Sequence, residues 1–232
     1  IAREKGLEPL SQRIFVQDDI DPCAVSAAFV NAEKGVNSVE DALGGARDII
    51  AEWVNEEQNS RAKIRELFMT QGVFRTKVIS GKEEEGMKYK DYFDWEESVS
   101  TAPSHRILAM RRGEKEGFLS LRVTPPDEDA IAILESLFVK GNGASAQHVK
   151  MAVHDSYKRL LSISMETEVR LETKKRADEE AISVFAANLR QLLLAPPLGQ
   201  KNVLAIDPGF RTGCKVVCMD RQGKLLHTET VY

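Results

Sequence analysis

Leu192-Leu193-Leu194-Ala195-Pro196-Pro197-Leu198-Gly199-Gln200-Lys201-Asn202-Val203-Leu204-Ala205-Ile206-Asp207 is the stretch where the chain changes its grammar. The residues before it, from about Met165 to Ala195, carry apolar side chains at helical spacing: Val169, Ala177, Ala181, Val184, Phe185, Leu189, Leu192 and Leu193. Some 30 residues rising 1.5 Å each predict a helix on the order of 45 Å long. The Pro196-Pro197-Leu198-Gly199 run stops it, because proline lacks the amide hydrogen that helix propagation needs. Beyond the stop the pattern becomes one of strands: Val203–Asp207, a turn at Pro208–Gly213, Cys214–Met219, a hairpin loop at Asp220–Gly223, and a third strand over Lys224–Tyr232. Three strands cannot cover both faces of a sheet, so the second segment is expected to be the truncated start of a larger domain.

Working back from the long helix, most of the chain reads as helical. Asp21-Pro22 predicts a helix through about Asn31, with the acid as cap and the proline at the first helical position. Ser38 and Asp41 have the spacing of a capping box. Val39, Ala42, Leu43, Ala46, Ile49, Ile50, Trp53 and Val54 then share one helical face, despite Gly44-Gly45, which weakens the helix locally. A further helix covers Ser60–Gln71, and others begin after Pro103, at Asp127 and after Gly141-Asn142-Gly143. Two runs break the helical pattern. Val73–Ile79 and Gly117–Val123 are β-formers with polar residues interleaved, and an aromatic group (Tyr89, Tyr92, Phe93, Trp95) lies between them. They predict a small patch of two or three strands at about residues 72–124. The expected fold is mainly α with this β patch, over residues 1–198, followed at 199–232 by the first strands of an α/β domain.

The 232 residues suffice for a hydrophobic core without disulfide staples, and 42% hydrophobic with 29% charged residues excludes a disordered chain. No run of 18 apolar residues exists, so no membrane partner is expected. The start, Ile1-Ala2-Arg3-Glu4, has no apolar signal core and is not Met, as in a fragment or processed chain. Cys23, Cys214 and Cys218 are too few for a disulfide framework and fit a reducing, cytoplasmic setting.

The net charge of -4 rules out a uniformly basic polyanion binder and directs attention to local charge. Residues 18–59 hold ten acids and two bases. Residues 100–124 hold five bases against two acids, and residues 140–176 eight against four. Arg106, Arg111, Arg112, Lys158, Arg159, Lys174, Lys175 and Arg176 are therefore the candidate phosphate-contacting residues, since cation–phosphate contacts set affinity and its salt dependence. Pro103-Ser104-His105-Arg106 is the most pointed of these segments, because a helix starting at Ser104 would present free amides and cations together. The plainer reading of Lys174-Lys175-Arg176 is a solvated helix face with pairs four residues apart. The acidic face at 18–59 also suits a docking platform for other proteins.

Asp207 is the candidate catalytic residue. It ends an apolar strand before a glycine turn, where a carboxylate could bind a divalent metal and, with companions, cleave phosphodiesters. The alternative is that Asp207 caps the turn by accepting amide bonds from Gly209 to Arg211. The next acid, Asp220, lies in the hairpin loop at the far end of the second strand. The same strand–turn–strand also suits nucleotide phosphates, although Pro208 and Phe210 fit that poorly. Cys214 and Cys218, four apart on one strand, share a face and read as small core residues. The four histidines have no ligand spacing, and no metal site or cofactor is expected.

Several segments carry a family resemblance. Val203-Leu204-Ala205-Ile206-Asp207-Pro208-Gly209-Phe210-Arg211-Thr212-Gly213-Cys214-Lys215 resembles the start of the YqgF-type, RNase H-like domain of the Tex family of bacterial transcription accessory proteins. Gly44–Glu52, Tyr89–Phe93, Pro103–Arg106, Arg112–Glu114, Tyr157–Leu161 and Ala186–Ala195 agree with the same family, in the same order. The resemblance implies an elongated helical scaffold with a helix-turn-helix-like part, then the RNase H-like domain. Helix-hairpin-helix elements and an OB-fold RNA-binding domain would follow beyond Tyr232. It implies RNA or DNA as partner, a link to the transcription machinery, and similarity to a eukaryotic elongation factor. Asp207 matches the first-strand acid of Holliday-junction resolvases, whose other acids would lie past Tyr232. The family implies no demonstrated nuclease activity in that domain, so the expected role is a noncatalytic RNA-binding scaffold. The alternative is a metal-dependent nuclease that uses Asp207 with acids further along.

Overall fold

The computed structural model describes residues 2–209 and 212–232. The chain divides into two compact units, residues 1–182 and 183–232.

The first unit begins with α1 (Glu8–Val16), which buries Leu10 and Ile14, and α2 (Pro22–Ser26), which Asp21 caps by accepting from the Cys23 amide at 2.9 Å. The helix expected to reach Asn31 ends at Ser26 and passes through a 3₁₀ turn at Ala27–Phe29. Asn31 is the reason. Its side chain accepts from the Glu33 and Lys34 amides and opens a separate turn, Ala32–Lys34, while its backbone bridges to Val36. Helix α3 (Val39–Glu56) follows. Ser38 accepts from the Asp41 amide at 3.0 Å, and Asp41 returns the bond to the Asn37 amide, one residue earlier than in the usual box. Its buried stripe is Ala42, Leu43, Ala46, Ile49, Ile50 and Val54. Gly45 sits where a Cβ would come within 2.3 Å of Leu7 Cδ1, so the missing side chain makes room for a buried leucine.

Glu57 alone joins α3 to α4 (Gln58–Gln71). Its carboxylate accepts from the amide and hydroxyl of Ser60 at 2.5 and 3.0 Å. The Asn59 amide and then the Ser60 amide, both donating to it, hold the Glu57 carboxyl below its ordinary range. Then come β1 (Val73–Val78), a 3₁₀ segment at Met87–Tyr92, β2 (Asp94–Ser98), α5 (Ser104–Lys115) and β3 (Leu119–Thr124). The strands form an antiparallel sheet in the order β2-β1-β3, the expected β patch with three members. Phe74 and Thr76 of β1 lie in register with Val123 and Leu121 of β3, and all four are buried. On the other face Arg75 pairs with Glu96 at 2.9 Å and bonds Thr124 Oγ1 at 2.8 Å.

Helices α6 (Asp127–Phe138) and α7 (Ala144–Ser156) follow, with α7 against α3; the Ser156 hydroxyl donates to the Ala51 carbonyl at 2.7 Å. A π-helical turn, Tyr157–Leu161, then leads without a break into α8 (Ser162–Leu193), so the helix is continuous from Ala144. The sequence predicts two separate helices here. It carries no breaker between them, and the π turn absorbs one extra residue instead. The Tyr157 hydroxyl, buried within this turn, donates to Asp127 at 3.0 Å, and burial pushes its phenol well above the usual range.

Helix α8 buries Met165, Glu166, Val169, Thr173 and Ala177. Glu166 accepts from the Val123 amide at 2.9 Å, and Arg170 donates to the Leu121 carbonyl at 3.3 Å. Two side chains thus take the place of a fourth strand along the outer edge of β3. Past Ala177 the apolar positions that mark the helix, among them Val184, Phe185, Leu189, Leu192 and Leu193, are all exposed. No helix among the described residues is long and apolar enough to cross a membrane.

In the second unit β4 (Val203–Gly209), β5 (Gly213–Met219) and β6 (Leu225–Val231) form an antiparallel meander. The β5–β6 loop is an Asx turn: Asp220 Oδ1 accepts from the Gln222 and Lys224 amides at 2.9 Å, and Gly223 takes φ +81°. The strand with a buried-type sequence, Val203–Asp207, is exposed, with Leu204 at 63% and Ile206 at 59%.

Candidate nucleic-acid interface

Helix α5 starts as expected at Ser104, after Pro103 in extended conformation. Its first turn is not open to an incoming anion. The Ser104 hydroxyl donates to the Glu180 carboxylate of α8, so an internal acid already faces this helix start. Arg106 donates to Glu97 Oε1 at 2.7 Å and lies over the Trp95 ring at 5.4 Å. Arg176 donates to the Val99 carbonyl at 3.4 Å. The end of β2, the start of α5 and the middle of α8 are therefore one cluster, holding Arg106 and Arg176 together.

Further along α5, Arg111 donates to Glu114 at 2.8 Å, and Glu114 also takes Arg170. Arg111 Nε is buried without a hydrogen-bond partner among the described residues. Arg112, one residue on, is exposed and has no ion pair among the described residues. Lys158 and Arg159 sit in the π turn. Arg159 donates to Asp155 at 2.6 Å and to Asp48 of α3 at 3.0 Å, and the Asp155 bond raises its already high pKa. Lys158 is exposed and makes no ion pair among the described residues. On α8, Lys174 pairs with Asp178, and Lys175 with Glu179 at 4.0 Å. These are the i,i+4 pairs of a solvated face, worth a few tenths of a kcal/mol each.

Apart from Arg106 and Arg176, which share that cluster, the candidate cations that have partners among the described residues have separate ones. Five have carboxylate partners: Arg106, Arg111, Arg159, Lys174 and Lys175. Among the described residues three have no carboxylate within ion-pair distance: Arg112, Lys158 and Arg176. Sequence reasoning misses Glu166, Arg170, Glu180 and Trp95. Trp95 lies beneath Arg106, Arg170 shares Glu114 with Arg111, Glu180 occupies the start of α5, and Glu166 ties α8 to β3. Only the four-residue spacing of Glu166 and Arg170 was a visible signal.

Asp207 is exposed in β4, in register with Lys215 of β5. The turn cap expected of it involves Phe210 and Arg211, which lie outside the described residues. Among the described residues no group of three or more His, Cys, Asp and Glu side chains could hold a metal ion. Cys214 and Cys218 are half-buried free thiols, in register with Pro208 and Val231 and with Leu204 and His227.

Comparison with known proteins gives the lineage. The Protein tex of Bordetella pertussis is 41% identical over the whole chain, which covers 31% of that protein. The transcriptional accessory protein Tex of Neisseria gonorrhoeae is 36% identical, with the same coverage. The human S1 RNA-binding domain-containing protein 1 is 28% identical over the whole chain, 24% of its own length. The chain spans about a third of the length of the bacterial relatives it matches. Residues 201–232 match the Tex protein YqgF-like domain, in agreement with the strand–turn–strand resemblance. Residues 17–185 match the Tex central region-like family, and the chain accordingly belongs to the Tex family.

Proposed function

We propose that this chain is a noncatalytic scaffold segment of a cytoplasmic transcription accessory factor, and that it contacts RNA or DNA through the cations its own acids leave free. Residues 1–198 act as the scaffold, and 199–232 belong to the YqgF-like domain. The observation that carries the reading is the match to the Tex central region over residues 17–185. The names of relatives, a transcriptional accessory protein and an RNA-binding-domain protein, support it. Arg112, Lys158 and Arg176 are the contacts of choice, because a paired guanidinium must give up its carboxylate before it can meet a phosphate.

The test is fluorescence anisotropy of labelled single-stranded RNA and duplex DNA across a salt series. Three neutralised phosphates on a single strand give a log–log salt slope of about -2. Replacing Arg112, Lys158 and Arg176 together with Gln should flatten it. Absence of binding at low salt, or a slope unchanged in the triple variant, would remove the proposal. Mg²⁺-dependent cleavage lost in Asp207→Asn would install the nuclease reading in its place.

A further inference from the structure

Helix α3 carries two adjacent glycines, and the structure accounts for only one of them. Gly45 admits Leu7, as described above. Gly44 makes room for nothing among the described residues: a Cβ there would meet the tip of Arg47 alone among them, at 3.8 Å. A glycine inside a helix lowers helix stability, so its presence calls for close approach by something else. Gly44 is also where two clefts meet. One, of about 480 Å³, runs toward Lys5 and Asn37; the other, of about 320 Å³, runs toward Met151 and Asp155 of α7. Both also include Asp48. Together they form a groove over the α3–α7 seam, floored by Gly44 and edged by Met151, which is 53% exposed.

The charge on the groove selects its occupant. Glu40 is tied to Arg47, but Asp48 and Asp155 share the single guanidinium of Arg159, which leaves one carboxylate charge unbalanced. The two clefts are lined by four carboxylates, Glu40, Asp41, Asp48 and Asp155, against two cations, Lys5 and Arg47. Such a surface repels phosphates and attracts cations. We infer that the α3–α7 groove docks a lysine- or arginine-bearing helix of a protein partner, with an apolar side chain of that helix against Gly44 and Met151. A flexible thioether suits an edge that must repack around an incoming helix. None of the three cations assigned to nucleic acid lines either cleft, so the inference stands or falls independently of them.

The test uses the 232-residue chain and a fluorescein-labelled amphipathic helical peptide of leucine and lysine. Controls are the same peptide with glutamate for lysine, and an oligouridylate. Gly44→Gln puts its Cβ in ordinary contact with the mobile tip of Arg47, 3.8 Å away, and replaces a helix-interior glycine, so its Tm should stay level or rise while affinity for the lysine peptide falls at least about tenfold, as expected for the centre of a contact. Met151→Arg, an exposed change that the fold tolerates, should weaken the same peptide by like-charge repulsion. Affinity unchanged in both variants, equal binding of the glutamate peptide, or displacement of the lysine peptide by oligouridylate would each overturn the inference.

Discussion

The two sheets of this chain make an instructive pair. Each is antiparallel, three-stranded and built from short runs of β-formers. In the first, Phe74, Leu121 and Val123 are buried, and α8 supplies Glu166 and Arg170 to the outer edge of β3. In the second, Leu204 and Ile206 are more than half exposed and no residue from 183 onward is fully buried among those described. Strand sequence alone therefore does not make a core. What separates the sheets is whether other elements bring apolar surface and hydrogen-bonding groups to them. About 25 cal/mol per Å² of buried apolar area accrues to one and little to the other.

The largest expected difference comes from matched truncations. Phe74→Ala should cost about 3–5 kcal/mol in chemical denaturation, whereas Ile206→Ala should stay within about 0.5 kcal/mol. Equal losses would break the contrast. A middle-sized effect is expected at the edge of β3. Glu166→Ala leaves the Val123 amide unpaired and should cost about 1–3 kcal/mol, and Glu166→Gln, which keeps an acceptor, should recover much of that. Faster hydrogen exchange at Val123 in the alanine variant would locate the loss. The smallest effect is one of pH. Burial, and then the adjacent Arg47, hold the His148 pKa below 6.5. The unfolded chain then binds a proton that the folded chain refuses, so stability of the first unit declines as pH falls through about 6.5. His148→Gln should flatten that decline, as read by thermal melts between pH 5 and 8. A decline of the same size in the variant would assign it to other groups.

Much of the fold is legible in the sequence because its signals are local. The apolar spacing from Val39 to Val54 marks α3, the alternation around Phe74 marks β1, and Pro196-Pro197 marks the end of α8. Strand β2 is missed because Asp94-Trp95-Glu96-Glu97-Ser98 is acidic, and its strand character comes from pairing with Arg75 and Thr76. The candidate interface is less legible, because charge counting does not know partners. Glu180 lies 76 residues from Ser104, and Asp48 lies 111 from Arg159. Such distances are bridged only by the fold, and they decide which cations are spent internally. Exposure of Phe185 and Leu189 is equally invisible, since periodicity reports a helix face and not what covers it.

The π turn at Tyr157–Leu161 sets the phase of everything after it. One residue in a regular helix corresponds to a rotation of roughly 100° and an advance of about 1.5 Å. Deleting a single residue there would swing Glu166 and Arg170 off the β3 edge by more than a quarter of a revolution, although no contact partner had been touched. Length at this point is thus as constrained as side-chain identity is in the core. Insertions and deletions that the loop at Gly141–Gly143 could absorb would here act like a mis-keyed shaft.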